Sequence, residues 1–137
     1  MRRFIDTNLL IYSDDSAYPD KQETATSLLA TLRSSGTGVL SIQVLQEYFS
    51  IATRKLGVDV PVAQRRMTLF AGFDVVIPSV ELLNAAVDLH RLRSLSWWDA
   101  LVVQSAISAG CSVLLSEDMQ HGEVISGVRI ENPFPAS

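Results

Sequence analysis

Short apolar runs alternate along this chain with longer segments of helical periodicity, and this alternation limits the folds open to it. The runs are rich in Val, Ile and Leu, which is typical of parallel strands buried on both faces. They lie at Phe4-Ile5, Val39-Leu40, Val75-Val76-Ile77 and Val113-Leu114-Leu115. Strands that alternate with helices predict an α/β fold, here a three-layer α/β/α sandwich with a central, mostly parallel sheet.

The segments between these runs predict five helices, at residues 20–34, 42–56, 61–72, 79–94 and 97–109. Pro61 suits the first turn of a helix, and Gly36 and Gly110 suit C-terminal caps. A chain of 137 residues without repeats or internal linkers is expected to form one domain, residues 1–137. Only residues 132–137 have the composition of a tail.

The formal net charge of −4 argues against broad binding of nucleic acid, but it leaves room for a local basic face. Basic pairs such as Arg54-Lys55 and Arg65-Arg66 are typical of solvated helix faces. The single cysteine, Cys111, cannot form an internal disulfide, and no Cys/His cluster suggests a zinc site. Without a signal-peptide segment or an apolar run of membrane-spanning length, we expect a cytoplasmic protein with no membrane association.

Two acidic residues lie where ligands bind in a parallel α/β fold, outside the carboxyl ends of the strands. Asp6 directly follows the first apolar run, and Asp118 follows the last one, next to Glu117. Each also has an ordinary structural explanation. Asp6 could cap the apolar segment Leu9–Tyr12 if that segment is helical, and the two acids near the end could lie in a solvated loop. Both interpretations stay open at this point.

Two further acidic residues belong to predicted helices. Asp99 heads a helix that is apolar nearly all round, and it fits the N3 position of a capping box that begins at Ser96. The same position would aim its carboxylate into the crevice at the strand ends. Glu47 borders the apolar face of its helix, so periodicity alone leaves it between the crevice and solvent.

The residues Asp6, Glu47, Asp99 and Asp118 would repel one another if they gathered at one crevice without a cation. Carboxylate oxygens are hard ligands that suit Mg²⁺, which keeps several of its waters and needs few protein ligands. One or two such ions can hold a phosphodiester, activate a water and stabilise the leaving oxygen. The acidic residues therefore favour metal-assisted hydrolysis.

Four short motifs resemble those of the PIN-domain family, and more narrowly those of the VapC-type toxins of type II toxin–antitoxin systems. They extend from Phe4 to about Asp118 in the expected order and rough spacing. The motifs are Phe4-Ile5-Asp6-Thr7-Asn8, Gln46-Glu47-Tyr48-Phe49, Trp98-Asp99-Ala100-Leu101 and Ser116-Glu117-Asp118. The resemblance implies a compact α/β/α nuclease domain that cleaves RNA as a Mg²⁺- or Mn²⁺-dependent endoribonuclease.

The resemblance also implies roles for individual residues. The catalytic and metal-binding acidic residues would be Asp6, Glu47, Asp99 and Asp118. Supporting polar positions would be Thr7, Asn8 and Ser116, while Glu117 is an extra acid that competes with Asp118. Because VapC-type toxins generally dimerise and are silenced by an antitoxin, the resemblance further implies a homodimer and a cognate antitoxin as partners, besides the RNA substrate.

Trp97 and Trp98 are adjacent on a predicted helix, so their side chains point about 100° apart and cannot share one pocket. The simpler expectation is that one packs in the core and the other lies at an interface. Stacking of an RNA base on one of them is the alternative.

Other functions fit the sequence less well. A phosphatase of the haloacid dehalogenase type needs an Asp-x-Asp pattern, and Asn8 occupies the second acidic position. A receiver domain needs a late lysine, and no lysine follows Lys55. An inactive, partner-binding member of the family stays open as an alternative, although the four acidic residues argue against it.

Overall fold

The computed structural model describes residues 1–134, which form a six-stranded sheet flanked by six helices. The strands are β1 (Arg3–Ile5), β2 (Gly38–Ser41), β3 (Asp74–Val76), β4 (Val113–Leu115), β5 (Val124–Ile125) and β6 (Val128–Glu131). The helices are α1 (Thr7–Ser13), α2 (Pro19–Ser35), α3 (Ile42–Arg54), α4 (Val60–Phe70), α5 (Val80–Arg93) and α6 (Trp97–Ser108). The predicted α/β fold is confirmed.

The strand order is β3-β2-β1-β4-β6-β5, and only β5 runs antiparallel to its neighbour. The chain moves outward from β1 to β3, and it then returns to place β4 on the other side of β1. Right-handed crossovers therefore put α1 to α4 over one face and α5 and α6 over the other. This reversal makes the gap between β1 and β4 the topological switch point, where ligands bind in such sheets.

The central strands are buried on both faces, which explains why their sequences are continuous apolar runs. Phe4, Leu40 and Leu114 in three neighbouring strands are completely buried. Helix α6 contacts β2, β4 and β6, and its side chains from Ala100 to Val103 are all buried. An apolar composition around the whole helix is what such a buried position requires.

The five predicted helices agree with the observed ones to within two residues at each end. Gly36 and Gly110 follow helix ends with φ values of +68° and +71°, the left-handed conformation that glycine adopts most readily. Ile77 was wrongly included in the third strand. The pairing of β3 with β2 ends at Val76, and Ile77 is 76% exposed at this edge of the sheet.

Three observed elements lie outside the sequence prediction. Helix α1 is only seven residues long, which is too short for periodicity to reveal. Strands β5 and β6 form a hairpin through Ser126 and Gly127, both with positive φ. Within residues 1–134, no helix combines the length and the hydropathy needed to cross a membrane.

The prediction of a tail from residue 132 onward is wrong for its first part. Phe134 is 5% exposed, and its ring packs edge-on to Tyr12 with the two ring centroids 4.9 Å apart. The backbone N–H of Phe134 also donates to the side-chain oxygen of Asn132 at 2.9 Å. Residues 135–137 of the same prediction lie outside the described residues.

Candidate active site

A cleft of about 460 Å³ opens at the carboxyl ends of β1 and β4, at the switch point of the sheet. Its walls come from α1, α3, the start of α6 and the loop that follows β4. All four acidic residues singled out in the sequence line it, namely Asp6, Glu47, Asp99 and Asp118. The fold therefore brings together carboxylates from four distant segments of the chain.

Asp6 lies directly after β1 and is only 7% exposed. Its Oδ1 accepts a hydrogen bond of 2.7 Å from the backbone N–H of Thr7, and its Oδ2 accepts one of 2.8 Å from the hydroxyl of Ser116. The residue thus caps α1 and lines the cleft at once, so its capping role does not exclude it from the cleft. Burial raises the pKa of Asp6 to about 6; the two hydrogen bonds oppose this rise, and nearby carboxylates add to it.

Glu47 lies on α3 and is half-buried. Its Oε2 accepts a hydrogen bond of 2.7 Å from the hydroxyl of Thr7, and its Oε1 accepts one of 2.9 Å from the amide of Gln43, one helical turn earlier. Ser41 caps α3 at the end of β2, which fixes where the helix begins relative to the sheet. Glu47, left between crevice and solvent by periodicity, therefore faces the cleft.

Asp99 occupies the third position of α6. Its backbone N–H donates to the hydroxyl oxygen of Ser96 at 3.1 Å, which forms the expected N-terminal cap. Burial raises the pKa of the Asp99 carboxyl, the Ser96 hydroxyl opposes that rise, and the charges of Asp118 and Glu47 add to it. Because these charges act on Asp99, its carboxylate shares their electrostatic environment.

Asp118 and Glu117 are adjacent, but their carboxylates have different surroundings. Glu117 accepts hydrogen bonds from the hydroxyl of Tyr12 at 2.7 Å and from the ammonium of Lys21 at 2.5 Å. Asp118 is exposed at the rim of the cleft, and its charge acts on Asp6. The arrangement favours Asp118 over Glu117 as the fourth acidic residue, since the charge of Glu117 is already compensated.

The sequence profile of the PIN domain matches residues 3–124. The chain belongs to the PIN domain family. No curated protein sequence matches it significantly, whereas 18 solved protein chains do.

Three of these solved structures share the fold of the PIN domain. A chain of a toxin–antitoxin complex from Klebsiella pneumoniae has a TM-score of 0.74 at 18% identity and covers 98% of this chain and 99% of that one. VapC20 from Mycobacterium tuberculosis, a sarcin–ricin loop cleaving toxin, has a TM-score of 0.68 at 20% identity over 85% and 89%. VapBC2 from Rickettsia felis, bound to a promoter DNA fragment, has a TM-score of 0.67 at 18% identity over 96% and 98%. At sequence identities of 18–20%, these similarities show a shared fold.

The chemistry of the cleft fits a hydrated hard cation. Both amide atoms of Asn8, which lines the cleft of this PIN domain, are buried without a hydrogen-bond partner in residues 1–134, and a bound water or ion would satisfy them. Within the same residues, no three His, Cys, Asp or Glu side chains form a ready-made metal cage. Mg²⁺ and Mn²⁺ suit this spread of carboxylates because hard cations accept waters among their ligands, whereas structural zinc needs a closed set of four ligands.

Burial contributes more than mutual repulsion to the electrostatics of this site. At both Asp6 and Asp99 the largest cause of the raised pKa is desolvation, and the neighbouring carboxylates have a smaller effect. The sequence predicts that the carboxylates repel one another when no cation is bound. This repulsion accounts for the smaller part of the free-energy cost of ionising Asp6 and Asp99, and burial accounts for the larger part. A cation would offset both parts, since it stabilises the ionised carboxylates.

A stripe of α3 contributes residues that the sequence prediction passed over. Gln43, Ile51 and Lys55 line the cleft together with Glu47, each four residues from the next. The sequence predicts a solvated helix face for Lys55; the residue is exposed, but it also borders the cleft. The spacing of four was the signal that could have found it, because such residues lie along one side of a helix.

The two tryptophans of the PIN domain point in different directions, as expected. Trp97 packs against the small cluster of Leu82, Ala86 and Leu101 between α5 and α6. Trp98 is 61% exposed and lines the cleft. Of the two tryptophans, Trp98 is therefore the one whose side chain a ligand in the cleft could contact.

Proposed function

We propose that this PIN domain, residues 1–137, is a divalent-metal-dependent endoribonuclease and the toxin of a bacterial toxin–antitoxin pair. The observation that carries the proposal is the convergence of four carboxylates in one cleft at the switch point of the sheet. We assign catalytic and metal-binding roles to those four residues, Asp6, Glu47, Asp99 and Asp118. Thr7, Asn8 and Ser116 support them.

The carboxylates would hold Mg²⁺ or Mn²⁺. When bound, such an ion supplies the positive charge that the phosphodiester and the attacking water require. The chain itself orients the ligands: Ser116 and the backbone of Thr7 hold Asp6, while the hydroxyl of Thr7 and the amide of Gln43 hold Glu47. Such supporting hydrogen bonds fix the direction of metal ligands.

The partners follow from the same proposal. Of the similar solved structures, one is a toxin–antitoxin complex, one is a sarcin–ricin loop cleaving toxin and one is VapBC2 bound to promoter DNA, which supports a toxin role and a cognate antitoxin. We also propose a cytoplasmic location, where a bacterial toxin of this kind would meet its RNA substrate. A second copy of the chain is the remaining proposed partner.

The test is cleavage of a mixed RNA pool by the purified chain in Mg²⁺, in Mn²⁺ and in excess EDTA. We expect cleavage with either metal and none with EDTA. The double variant Asp6→Asn/Asp99→Asn, purified in the same way, controls for contaminating nuclease. Undiminished cleavage in EDTA would overturn the metal requirement. A folded wild-type protein that leaves all RNA intact would instead indicate an inactive, partner-binding PIN domain.

A further inference from the structure

Trp98 borders two cavities. It occupies the second position of α6, directly before Asp99, and lines both the acidic cleft and a smaller pocket beside it. An indole that stays 61% exposed at a cleft is well suited to a ligand, because it offers a large apolar face to whatever binds there.

The smaller pocket, here called the Trp98 pocket, has a volume of about 330 Å³. Its other walls are four polar side chains from one face of α3, spaced three and four residues apart: Gln43, Gln46, Glu47 and Ser50. The amide of Gln43 donates to Glu47 at 2.9 Å and to the backbone oxygen of Trp98 at 3.4 Å, which ties α3 to the start of α6. Gln46 and Ser50 add an amide and a hydroxyl, which can each donate and accept hydrogen bonds.

We propose that the Trp98 pocket takes one base of a single-stranded RNA, stacked on the indole, with the base edge read by Gln46 and Ser50. This inference rests on the proposed ribonuclease function. Glu47 lines both the pocket and the acidic cleft, and Asp99 follows Trp98 in the chain. The base in the pocket therefore belongs to a nucleotide next to the phosphodiester that is cleaved.

The composition of the pocket favours a nucleobase over a protein side chain. A base has an apolar face and a polar edge, which match the indole of Trp98 and the side chains of Gln46 and Ser50. An apolar protein anchor would instead cover the amide of Gln46 and the hydroxyl of Ser50 without satisfying their hydrogen bonds, which is costly. Only an unpaired base can offer both its face and its edge, so the substrate at this position is single-stranded.

Fluorescence tests the stacking directly, because Trp97 and Trp98 are the only tryptophans of the chain. In the Trp97→Phe variant, all tryptophan emission comes from Trp98. We expect a pool of eight-nucleotide single-stranded RNAs, in Ca²⁺ to slow cleavage, to quench this emission. The same RNAs annealed to their complements should not, and Trp98→Phe should show no quenching with either. Equal quenching by paired and unpaired RNA, or none by either, would overturn the proposal.

Cleavage kinetics provide the second measurement. Trp98→Ala should lower kcat/KM on single-stranded RNA by about 5- to 150-fold, the range that loss of one base–aromatic stack produces. Trp98→Phe keeps an aromatic face and should retain most of the activity. Gln46→Ala should change which base is preferred at one position next to the cut. Val124→Ala, a change at an exposed apolar residue outside both cavities, should cleave like the wild type.

The outcomes separate this inference from the nuclease proposal. If the wild type cleaves RNA and Trp98→Ala cleaves it equally well, the pocket assignment is wrong and the nuclease stands. If single-stranded RNA quenches Trp98 but is never cleaved, stacking of a base in the pocket stands, while the nuclease proposal and the place of that base beside a cut are wrong. If Trp98→Ala changes only the sedimentation of the protein, Trp98 is a contact between protein chains and the inference is overturned.

Discussion

The hydroxyl of Ser116 donates a hydrogen bond of 2.8 Å to Oδ2 of Asp6 across the ends of two neighbouring strands. The two residues directly follow Ile5 and Leu115, which are register partners in the parallel ladder of β1 and β4. Ser116 is fully buried, and Asp6 nearly so. The orientation of the Asp6 carboxylate is therefore fixed where β1 and β4 end, by Ser116 on one side and by the start of α1 on the other.

The raised pKa of Asp6 predicts how stability depends on pH in the absence of metal. The pKa of Asp6 in the folded protein is about 6, against an ordinary value of 3.8, so protonated Asp6 contributes its full stabilisation below about pH 4. This contribution is lost as the pH rises through 6. Asp6→Asn does not titrate, so its stability relative to wild type should improve between pH 4 and pH 7, by on the order of 2–3 kcal/mol. Urea denaturation in EDTA measures this, and a constant difference would contradict it.

Asp6 and Asp118 could be found from the sequence because a buried apolar run fixes where a strand ends, and ligands bind beyond that end. Glu47 and Asp99 were harder to assign to the site from the sequence. Periodicity gives the angle of a side chain around the helix axis, but not which part of the fold that side of the helix faces. The contact between Thr7 and Glu47 settles the direction of Glu47, and it joins residues 40 positions apart. Local patterns carry no information on such contacts.

The same reason explains what was missed about Glu117. Its partner Lys21 lies 96 residues earlier, on α2, whereas Glu117 lies in the loop after β4. The sequence could show that Glu117 and Asp118 compete for one role, but not that the carboxylate of Glu117 is already paired with the ammonium of Lys21. The overall topology, in contrast, was predictable because alternating buried strands and helices allow few arrangements.

The surroundings of the acidic residues predict the order of their importance. Asp6→Asn and Asp99→Asn should lower RNA cleavage by about 100-fold or more, the scale for losing a group that stabilises charge in the transition state. Glu47→Gln should also be impaired. Asp118→Asn should cost more than Glu117→Gln, because Tyr12 and Lys21 already compensate Glu117. Single-turnover cleavage assays measure these effects, and an inactive Glu117→Gln beside a fully active Asp118→Asn would reverse the assignment.

Lys55 is expected to bind a backbone phosphate of the RNA. It directly follows the last residue of α3 and lies eight residues after Glu47, which places it about 12 Å further along the direction of the helix. Lys55→Ala should raise KM with little change in kcat, and it should reduce the salt dependence of RNA binding by about one unit of slope. Arg54→Ala is the matched control, since Arg54 is also exposed but does not line the cleft. If the two variants change RNA binding equally, the overall positive charge of the protein explains the effect, and a specific contact between Lys55 and a phosphate is excluded.

Helix α5 presents an apolar stripe that predicts the site of self-association. Val80, Leu83 and Val87 recur at helical spacing and are 70%, 38% and 40% exposed. We expect this stripe to pack against a second copy of the chain. Leu83→Asp should shift the protein to monomer in sedimentation velocity at micromolar concentration, while Val124→Asp should not. A wild-type protein that is already monomeric there would contradict the dimer.

The role of Asp99 as a metal ligand can be separated from its role in capping α6. The cap uses the backbone N–H of Asp99 and the hydroxyl of Ser96, so Asp99→Asn keeps that hydrogen bond. Burial raises the pKa of Asp99, which means that its ionised form at neutral pH destabilises the metal-free fold. Removing the charge should therefore leave the Tm of the metal-free variant equal to or above that of wild type.

Metal should then distinguish the two proteins. Because Mg²⁺ binds the folded state preferentially, millimolar Mg²⁺ should raise the Tm of wild type, and it should raise that of Asp99→Asn far less. Asp88→Asn, which removes an exposed carboxylate on α5, should respond like wild type. Thermal melts of all three proteins at pH 7, with EDTA or with Mg²⁺ at matched ionic strength, provide the comparison. Equal metal-induced shifts in wild type and Asp99→Asn would show that Asp99 belongs to the helix start alone, and the metal site would then have to be built from the remaining three carboxylates.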